Sequence, residues 1–426
     1  MQHLVWAIFL FTLGACIGSF LNVVIYRVPR NESVVFPPSH CPRCGKGIRW
    51  YDNIPILSWL ALKGRCRFCQ SEISPRYLII EAVTGGLLLA LYITYYVLWA
   101  RGKDQTEPFS RSWPMYAAHA ALLCGLLACA MVDIESWIVP LEVCWVVSLG
   151  GLISAALRPH PFLGAAMTRR IEIADLFGPI PKKFAAYNAG ISPATGAAAL
   201  AALLGVGIAF VLLRYGYIRQ SFIDASDRQL DQDPPEAPSA GLDKGKKVRS
   251  APPETKLAPS VSARREILWE LVYLAPAAVL GVAAWLVVTK IPAARGLWKS
   301  WHTVGPIAQN LRGAEAAVFG YLVGGLWIWG MRILGTLAFG RLAMGMGDVH
   351  ILAAVGAVTG WIVPSAVFFI APVFGLAWAL RLWVTKAQRE LPYGPWLALA
   401  TLATMLFHDG VVGFFATYAG AVMILR

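Results

Sequence analysis

The sequence is a succession of apolar stretches, each close to the length that crosses a lipid bilayer. A membrane-spanning helix needs about 20 predominantly apolar residues. Stretches of this kind lie at about 4–26, 78–99, 115–132, 137–157, 195–213, 267–289 and 314–338. The regions 349–384 and 394–425 each hold one or two more. We therefore predict an all-α polytopic membrane protein with about nine or ten transmembrane helices.

The composition excludes a soluble globular protein. Hydrophobic residues make up 57% of the chain and charged residues only 14%, which is too little polar surface to cover a soluble fold. The first stretch, 4–26, has neither a basic start nor a small-residue cleavage site in the usual place. We therefore expect it to be a retained span and not a signal peptide. The lipid bilayer is the first partner that this composition predicts.

The net charge of +13 is interpreted as a topology signal and not as a nucleic-acid interface. Between the first two spans, residues 27–77 carry nine Arg or Lys residues against three acidic ones. Short loops rich in Arg and Lys stay in the cytoplasm. This loop is therefore predicted to be cytoplasmic, and no nucleic-acid partner is expected.

Two carboxylates reach the same membrane face when the spans are counted from that loop. Asp133 follows the third span in "ACAMVDIESWIVP", and Asp348 follows the seventh in "GMGMGDVHIL". Both are predicted to lie at the cytoplasmic edge. Acidic residues in apolar segments are costly and are often functional. The alternative for each aspartate is a structural role, as a solvated or capping residue at a helix end with no catalytic function.

Two carboxyl groups that share one proton can hydrolyse a peptide bond. One ionised group takes a proton from water while its protonated partner polarises the scissile carbonyl. Gly345 and Gly347 directly precede Asp348, and glycine permits an unwound backbone that approaches an extended substrate. We expect Asp348 to act as the base, because it would lie at a helix start, and Asp133 to hold the proton.

The loop at 27–77 also contains two cysteine pairs of the type C-x2-C. They are Cys41 with Cys44, and Cys66 with Cys69. Two such pairs provide four thiolates for a tetrahedral zinc ion, and four protein ligands leave no open position for a reactive water. We predict a structural zinc site, with four reduced thiols as the alternative.

Several of these segments resemble the bacterial type IV prepilin peptidases, which are membrane aspartic proteases of the GxGD class. The resemblance rests on "GSFLNVVIYRVPR" at 18–30, the cysteine pairs, "ISPRYLIIEAVTG" at 73–85, the two aspartate motifs and "LPYGPWLALA" at 391–400. Two departures are His350, where the family often has lysine, and Leu141, where it often has an acid. A third departure is an insertion at about 158–313.

The resemblance implies a bifunctional enzyme at the cytoplasmic face of the bacterial inner membrane. Such enzymes cut the basic leader of type IV prepilins or type II secretion pseudopilins, and many then N-methylate the new terminus with S-adenosylmethionine. Asp133 and Asp348 would be the catalytic pair. Glu81 is a weak candidate for the cofactor or for the substrate amine, and an interfacial acid without function is the alternative. An inactive scaffold for pilus or secretion assembly, and a transporter with a proton relay, are the competing functions.

The expected organisation follows from these assignments. It comprises a first transmembrane helix at 1–26, a cytoplasmic tetracysteine loop at 27–77, membrane helices with the first aspartate at 78–157, the insertion at 158–313, and membrane helices with the GxGD motif at 314–426. The insertion is predicted to add two spans and a disordered cytoplasmic linker at 214–265, which is polar and rich in proline. An even number of added spans keeps both aspartates on one side.

Overall fold

The computed structural model describes residues 2–98, 109–157, 192–222, 263–303, 306–385, 392–408 and 410. Their regular structure is helical, with isolated β-bridges in the cysteine loop. The helices are α1 (Gln2–Arg27), α2 (Leu57–Ala61), α3 (Arg76–Tyr92), α4 (Phe109–Ser136), α5 (Leu141–Leu157), α6 (Pro193–Arg214), α7 (Ala263–Lys290), α8 (Pro292–Thr303), α9 (Pro306–Phe339), α10 (Met346–Thr359), α11 (Ile362–Thr385) and α12 (Gly394–Leu406).

Within these residues, seven helices are long and apolar enough to cross a membrane, and α5, α10 and α12 are shorter apolar helices. The predicted all-helical membrane architecture is confirmed. The region 349–384, which the sequence left as one or two passes, contains two helices, because Gly360 ends α10 with a positive φ of 76°. The predicted disordered linker lies mostly outside the described residues, and 411–425 lies outside them entirely.

The chain divides into two compact units. The first comprises Met1–Gly150 and Phe369–Arg426. Within it, α1 packs closely on α3 through small residues. A Cβ atom on Gly14 would lie 2.8 Å from the Cα atom of Gly85, and one on Gly18 would lie 2.7 Å from the Cα atom of Glu81. Small residues at such contacts let the two backbones approach within a membrane.

The second unit, Gly151–Phe368, contains α6 to α10. The helices α6 and α7 lie within the predicted insertion and pack against each other. Much of α7 faces outward, since only 11% of its most apolar window is buried and Val279 and Val282 are exposed. Such a surface is suited to lipid and not to water. Between α7 and α9 lies the short helix α8, in which Trp298 stacks on Trp301.

The helix that carries Asp348, α10, packs on α9 through glycines. A Cβ atom on Gly356 would lie 1.9 Å from the carbonyl oxygen of Gly320, and one on Gly324 would lie 2.2 Å from that of Leu352. Backbone thus contacts backbone along this interface. The position of α10 therefore depends on the absence of side chains at these glycines.

Gly356→Ala is expected to destabilise the protein. The added methyl group must push α9 and α10 apart, and overpacking of this kind costs about 1–3 kcal/mol. Gly330→Ala is the matched control, since it places the same methyl group in α9 where nothing lies within 4 Å. Thermal unfolding in detergent would measure the difference. Equal melting temperatures for the two variants would contradict the close packing.

Candidate functional site

Asp133 lies one turn before the end of α4 and is 6% exposed. Its Oδ2 atom accepts a hydrogen bond of 3.0 Å from the backbone N–H of Gly394, which begins α12 in the same unit. The first N–H groups of a helix lack an intrahelical acceptor, so the carboxylate caps α12. Among the described residues, no hydrogen bond to the other oxygen, Oδ1, is found. One oxygen of Asp133 is thus held by the backbone of α12.

Asp348 lies in the first turn of α10, at the positive end of the helix dipole. Residues 340–345 before it are not helical, and Gly345 is extended, with φ −73° and ψ 152°. Gly347 is already part of α10, so the unwound stretch ends earlier than the sequence suggested. His350 follows on the same helix and is half-buried. Asp348 belongs to the second unit and Asp133 to the first.

The four cysteines of the loop come together as one cluster. The Sγ atoms of Cys41, Cys44, Cys66 and Cys69 all lie within 4.8 Å of one another, and those of Cys41 and Cys69 are 3.7 Å apart. Zn–S bonds of about 2.3 Å place the sulfurs of a tetrahedral site roughly 3.8 Å apart. The cluster therefore has the ligand type, number and spacing for a metal ion such as zinc.

Each cysteine pair is held by the same backbone turn. The N–H of Cys41 donates to the carbonyl of Lys46, and the N–H of Cys66 donates to that of Ser71, each at 2.9 Å. A backbone hydrogen bond from Cys44 lowers the pKa of the Cys41 thiol to about 6, although burial opposes this shift. The hydroxyl of Ser71 is the main cause of a lowered pKa at Cys69. At Cys44, by contrast, a backbone hydrogen bond from Lys46 lowers the pKa, but burial and hydrogen bonds with the other thiols outweigh it and raise the pKa to about 11. The case for a metal site therefore rests on the spacing of the four sulfurs.

Two contacts near the predicted site were not anticipated from the sequence. Arg76 forms a salt bridge of 2.5 Å with Glu135, which joins α3 to α4 two residues after Asp133. In the loop, the Arg67 guanidinium donates to both oxygens of Asp52 and holds the pKa of that carboxyl below its usual value. The sequence separation of the two residues in each pair follows no regular pattern, so neither pair could be predicted from the sequence.

Glu81, the weak cofactor candidate, is buried and already has a partner. Its Oε2 atom accepts a hydrogen bond of 2.7 Å from the backbone N–H of Ile56, which has a positive φ of 64°. A β-branched residue in this conformation is strained. The contact favours a structural role in which Glu81 fastens the cysteine loop to α3.

Part of the chain is similar in sequence to a known family of membrane peptidases. Residues 12–96 match the family model described as the bacterial peptidase A24 N-terminal domain. This region covers the second half of α1, the cysteine loop and α3. The prepilin leader peptidase/N-methyltransferase of Myxococcus xanthus (strain DK1622) is 45% identical over 138 residues, which are 32% of this chain and 36% of that protein.

The predicted resemblance to prepilin peptidases is confirmed. The protein of the same name from Klebsiella pneumoniae is 48% identical over 95 residues, which are 21% of this chain and 42% of that protein. Its namesake from Aeromonas salmonicida (strain A449) is 32% identical over 185 residues, or 38% of this chain and 58% of that protein. The chain thus spans about a third to somewhat over half of the length of these prepilin peptidases. No solved structure matches.

Proposed function

We propose that this chain is a membrane aspartic endopeptidase that removes the basic leader of type IV prepilins or type II secretion pseudopilins. The observation that carries the proposal is the buried carboxylate of Asp133, one oxygen of which accepts the backbone N–H of Gly394. Asp348, at the start of α10 after an unwound glycine stretch, is its proposed partner. The relatives are named prepilin leader peptidases, which supports prepilins as substrates.

In the proposed mechanism the two carboxyl groups share one proton. The ionised one, Asp348, takes a proton from water as the water oxygen attacks the scissile carbonyl. The protonated one, Asp133, transfers its proton to the carbonyl oxygen. The tetrahedral diol collapses as Asp348 gives its proton to the leaving amine and one hydroxyl group returns a proton to Asp133. This restores the pair to its starting state. The products are the leader and a pilin with a free N-terminus.

The active site is proposed to face the cytoplasm of a bacterial inner membrane. The nine Arg and Lys residues of loop 27–77 support this orientation, because basic loops are retained on the cytoplasmic side. The tetracysteine cluster would then be in a reducing compartment, where thiols remain available for zinc. We assign the zinc a structural role, since the four thiolates leave no open position.

The same protein is proposed to methylate the new N-terminus. The names of the relatives include N-methyltransferase, and this supports the activity. When bound, S-adenosylmethionine would supply the methyl group to the amine nitrogen and leave as S-adenosylhomocysteine, and the nitrogen would lose one proton. No residue is assigned to the cofactor, because the carboxylate of Glu81 is buried and is bonded to Ile56.

A co-expressed prepilin with a basic leader tests the proposal. Intact mass should show loss of the leader with the parent protein and no loss with the double variant Asp133→Asn, Asp348→Asn. A methylated product would be heavier by one methyl group, so the same spectrum reports methylation. Uncut prepilin with the parent, across several pilin-like substrates, would refute the peptidase and favour a scaffold.

A further inference from the structure

The start of α7 carries two buried acids on one face. Glu266 and Glu270 are four residues apart, so they lie one turn above each other, and each is 3% exposed. Carboxylates are almost never buried without partners. α7 lies within the insertion, so these acids belong to a part of the chain that the prepilin peptidase resemblance does not explain.

The partners of Glu270 come from α9. Its Oε1 atom accepts a hydrogen bond of 2.8 Å from the Nε atom of Arg332, and its Oε2 atom accepts one of 2.9 Å from the indole N–H of Trp329. Ser221, in the segment after α6, donates to Oε1 at 3.3 Å. The carboxylate therefore has a donor on each oxygen, and α7 is locked to α9.

Arg332 extends this network to the segment before Asp348. Its NH1 group donates a hydrogen bond of 2.5 Å to the carbonyl of Met344, and its guanidinium lies 5.0 Å from the ring centre of Phe222. Met344 directly precedes Gly345, the extended residue after which α10 begins. One guanidinium thus bonds both the acid of the insertion and the backbone that leads into Asp348.

The planar guanidinium suits this double contact. Its donors are held in a fixed fork, so orientation by Glu270 also aims the NH1 group. Removal of one partner of a buried ion pair leaves an uncompensated charge. Without Glu270, Arg332 would turn toward water or another acceptor, and the Met344 carbonyl would lose its fixed donor.

We propose that Glu270 and Arg332 are positioning residues that hold residues 344–347, and thereby Asp348, in place. The inference rests on the proposed peptidase function of Asp348. It gives the insertion a role in the reaction beyond that of a spacer, because α7 supplies the acid that orients Arg332.

Glu270→Gln tests the proposal, and Glu266→Gln is its matched control. The control changes the same residue type on the same face at the same burial, but Glu266 contacts Arg219 and the N–H of Phe222 and not Arg332. Misplacement of a catalytic group can cost about a hundredfold in rate, so Glu270→Gln should lower kcat by about ten- to a hundredfold while KM changes little. Glu266→Gln should keep a kcat close to that of the parent.

Hydrogen–deuterium exchange of residues 341–347 supplies a readout that does not depend on activity. Exchange should become faster in Glu270→Gln and stay unchanged in Glu266→Gln. An unchanged kcat or unchanged exchange in Glu270→Gln would overturn the positioning role. If the parent itself cleaves no prepilin, the peptidase function fails, and the exchange measurement still decides whether Glu270 holds this segment.

A charge exchange, Glu270→Arg with Arg332→Glu, covers the case in which Glu270→Gln does not fold. The ion pair is kept, but a glutamate at position 332 has no donor for the Met344 carbonyl. We expect a melting temperature closer to that of the parent, with kcat still low and exchange still fast. Recovery of kcat in this double variant would show that only the pair matters, and it would overturn the role of the Met344 contact.

Discussion

Asp133→Asn is expected to abolish leader cleavage and to leave the fold nearly intact. The asparagine oxygen can still accept the N–H of Gly394, so α12 remains capped. The amide, however, can neither release nor take up a proton at neutral pH. General acid–base catalysis contributes about 10²- to 10⁴-fold, and we expect a loss in this range. Intact mass of a prepilin substrate over time measures the rate.

The variant Asp133→Ala distinguishes the capping role of Asp133 from its catalytic role. It removes the acceptor of Gly394 as well as the acid, and loss of a helix cap costs about 0.5–2 kcal/mol. Its melting temperature should therefore fall below that of Asp133→Asn, while both variants are inactive. Cleavage by Asp133→Asn at a rate near that of the parent would show that the residue is only a cap.

Loss of zinc is expected to unfold the tetracysteine loop. The loop between α1 and α3 has only short helical turns, two isolated β-bridges and few buried apolar residues, and its buried cysteines Cys41 and Cys66 face the cluster. Structural zinc contributes about 10–16 kcal/mol to the folding of zinc-finger peptides. We expect purified protein to contain one zinc per chain, measured by mass spectrometry of the metal.

Cys66→Ser is the variant that tests this expectation. It should lose most of the bound zinc and become sensitive to proteolysis within residues 30–75. The matched control is Cys16→Ser, the same change at an exposed position in α1 outside the cluster. Full zinc content in Cys66→Ser, or equal zinc loss in both variants, would argue against the four-cysteine site.

The pattern of apolar segments predicted the helical membrane fold because span length follows directly from bilayer thickness. The same reasoning left 349–384 unresolved, since the break at Gly360 depends on a backbone angle that hydropathy does not report. The cysteine cluster was predictable because its ligands repeat a fixed local spacing. The Asp133–Gly394 hydrogen bond was not, because it joins residues far apart in sequence.

Glu270 and Arg332 were missed although the sequence contained a signal for them. Ionisable residues within apolar helices are rare and usually have a function. That reasoning singled out Asp133 and Asp348, whose motifs drew attention, but it applies equally to a glutamate at the start of α7 and an arginine within α9. Their pairing depends on helix packing, which the sequence alone does not give.

The short helix α8 is expected to fix the depth at which α7 and α9 lie in the membrane. Its sequence alternates Leu297, Trp298 and Trp301 with Arg295 and Lys299, a mixture that settles at the boundary between lipid headgroups and acyl chains. It directly joins α7 to α9, so it anchors the far ends of the two helices that carry Glu270 and Arg332. A change in bilayer thickness would tilt both helices about this anchor. Since the proposed cleavage depends on Glu270 and Arg332, we expect its rate to vary with the acyl-chain length of the bilayer.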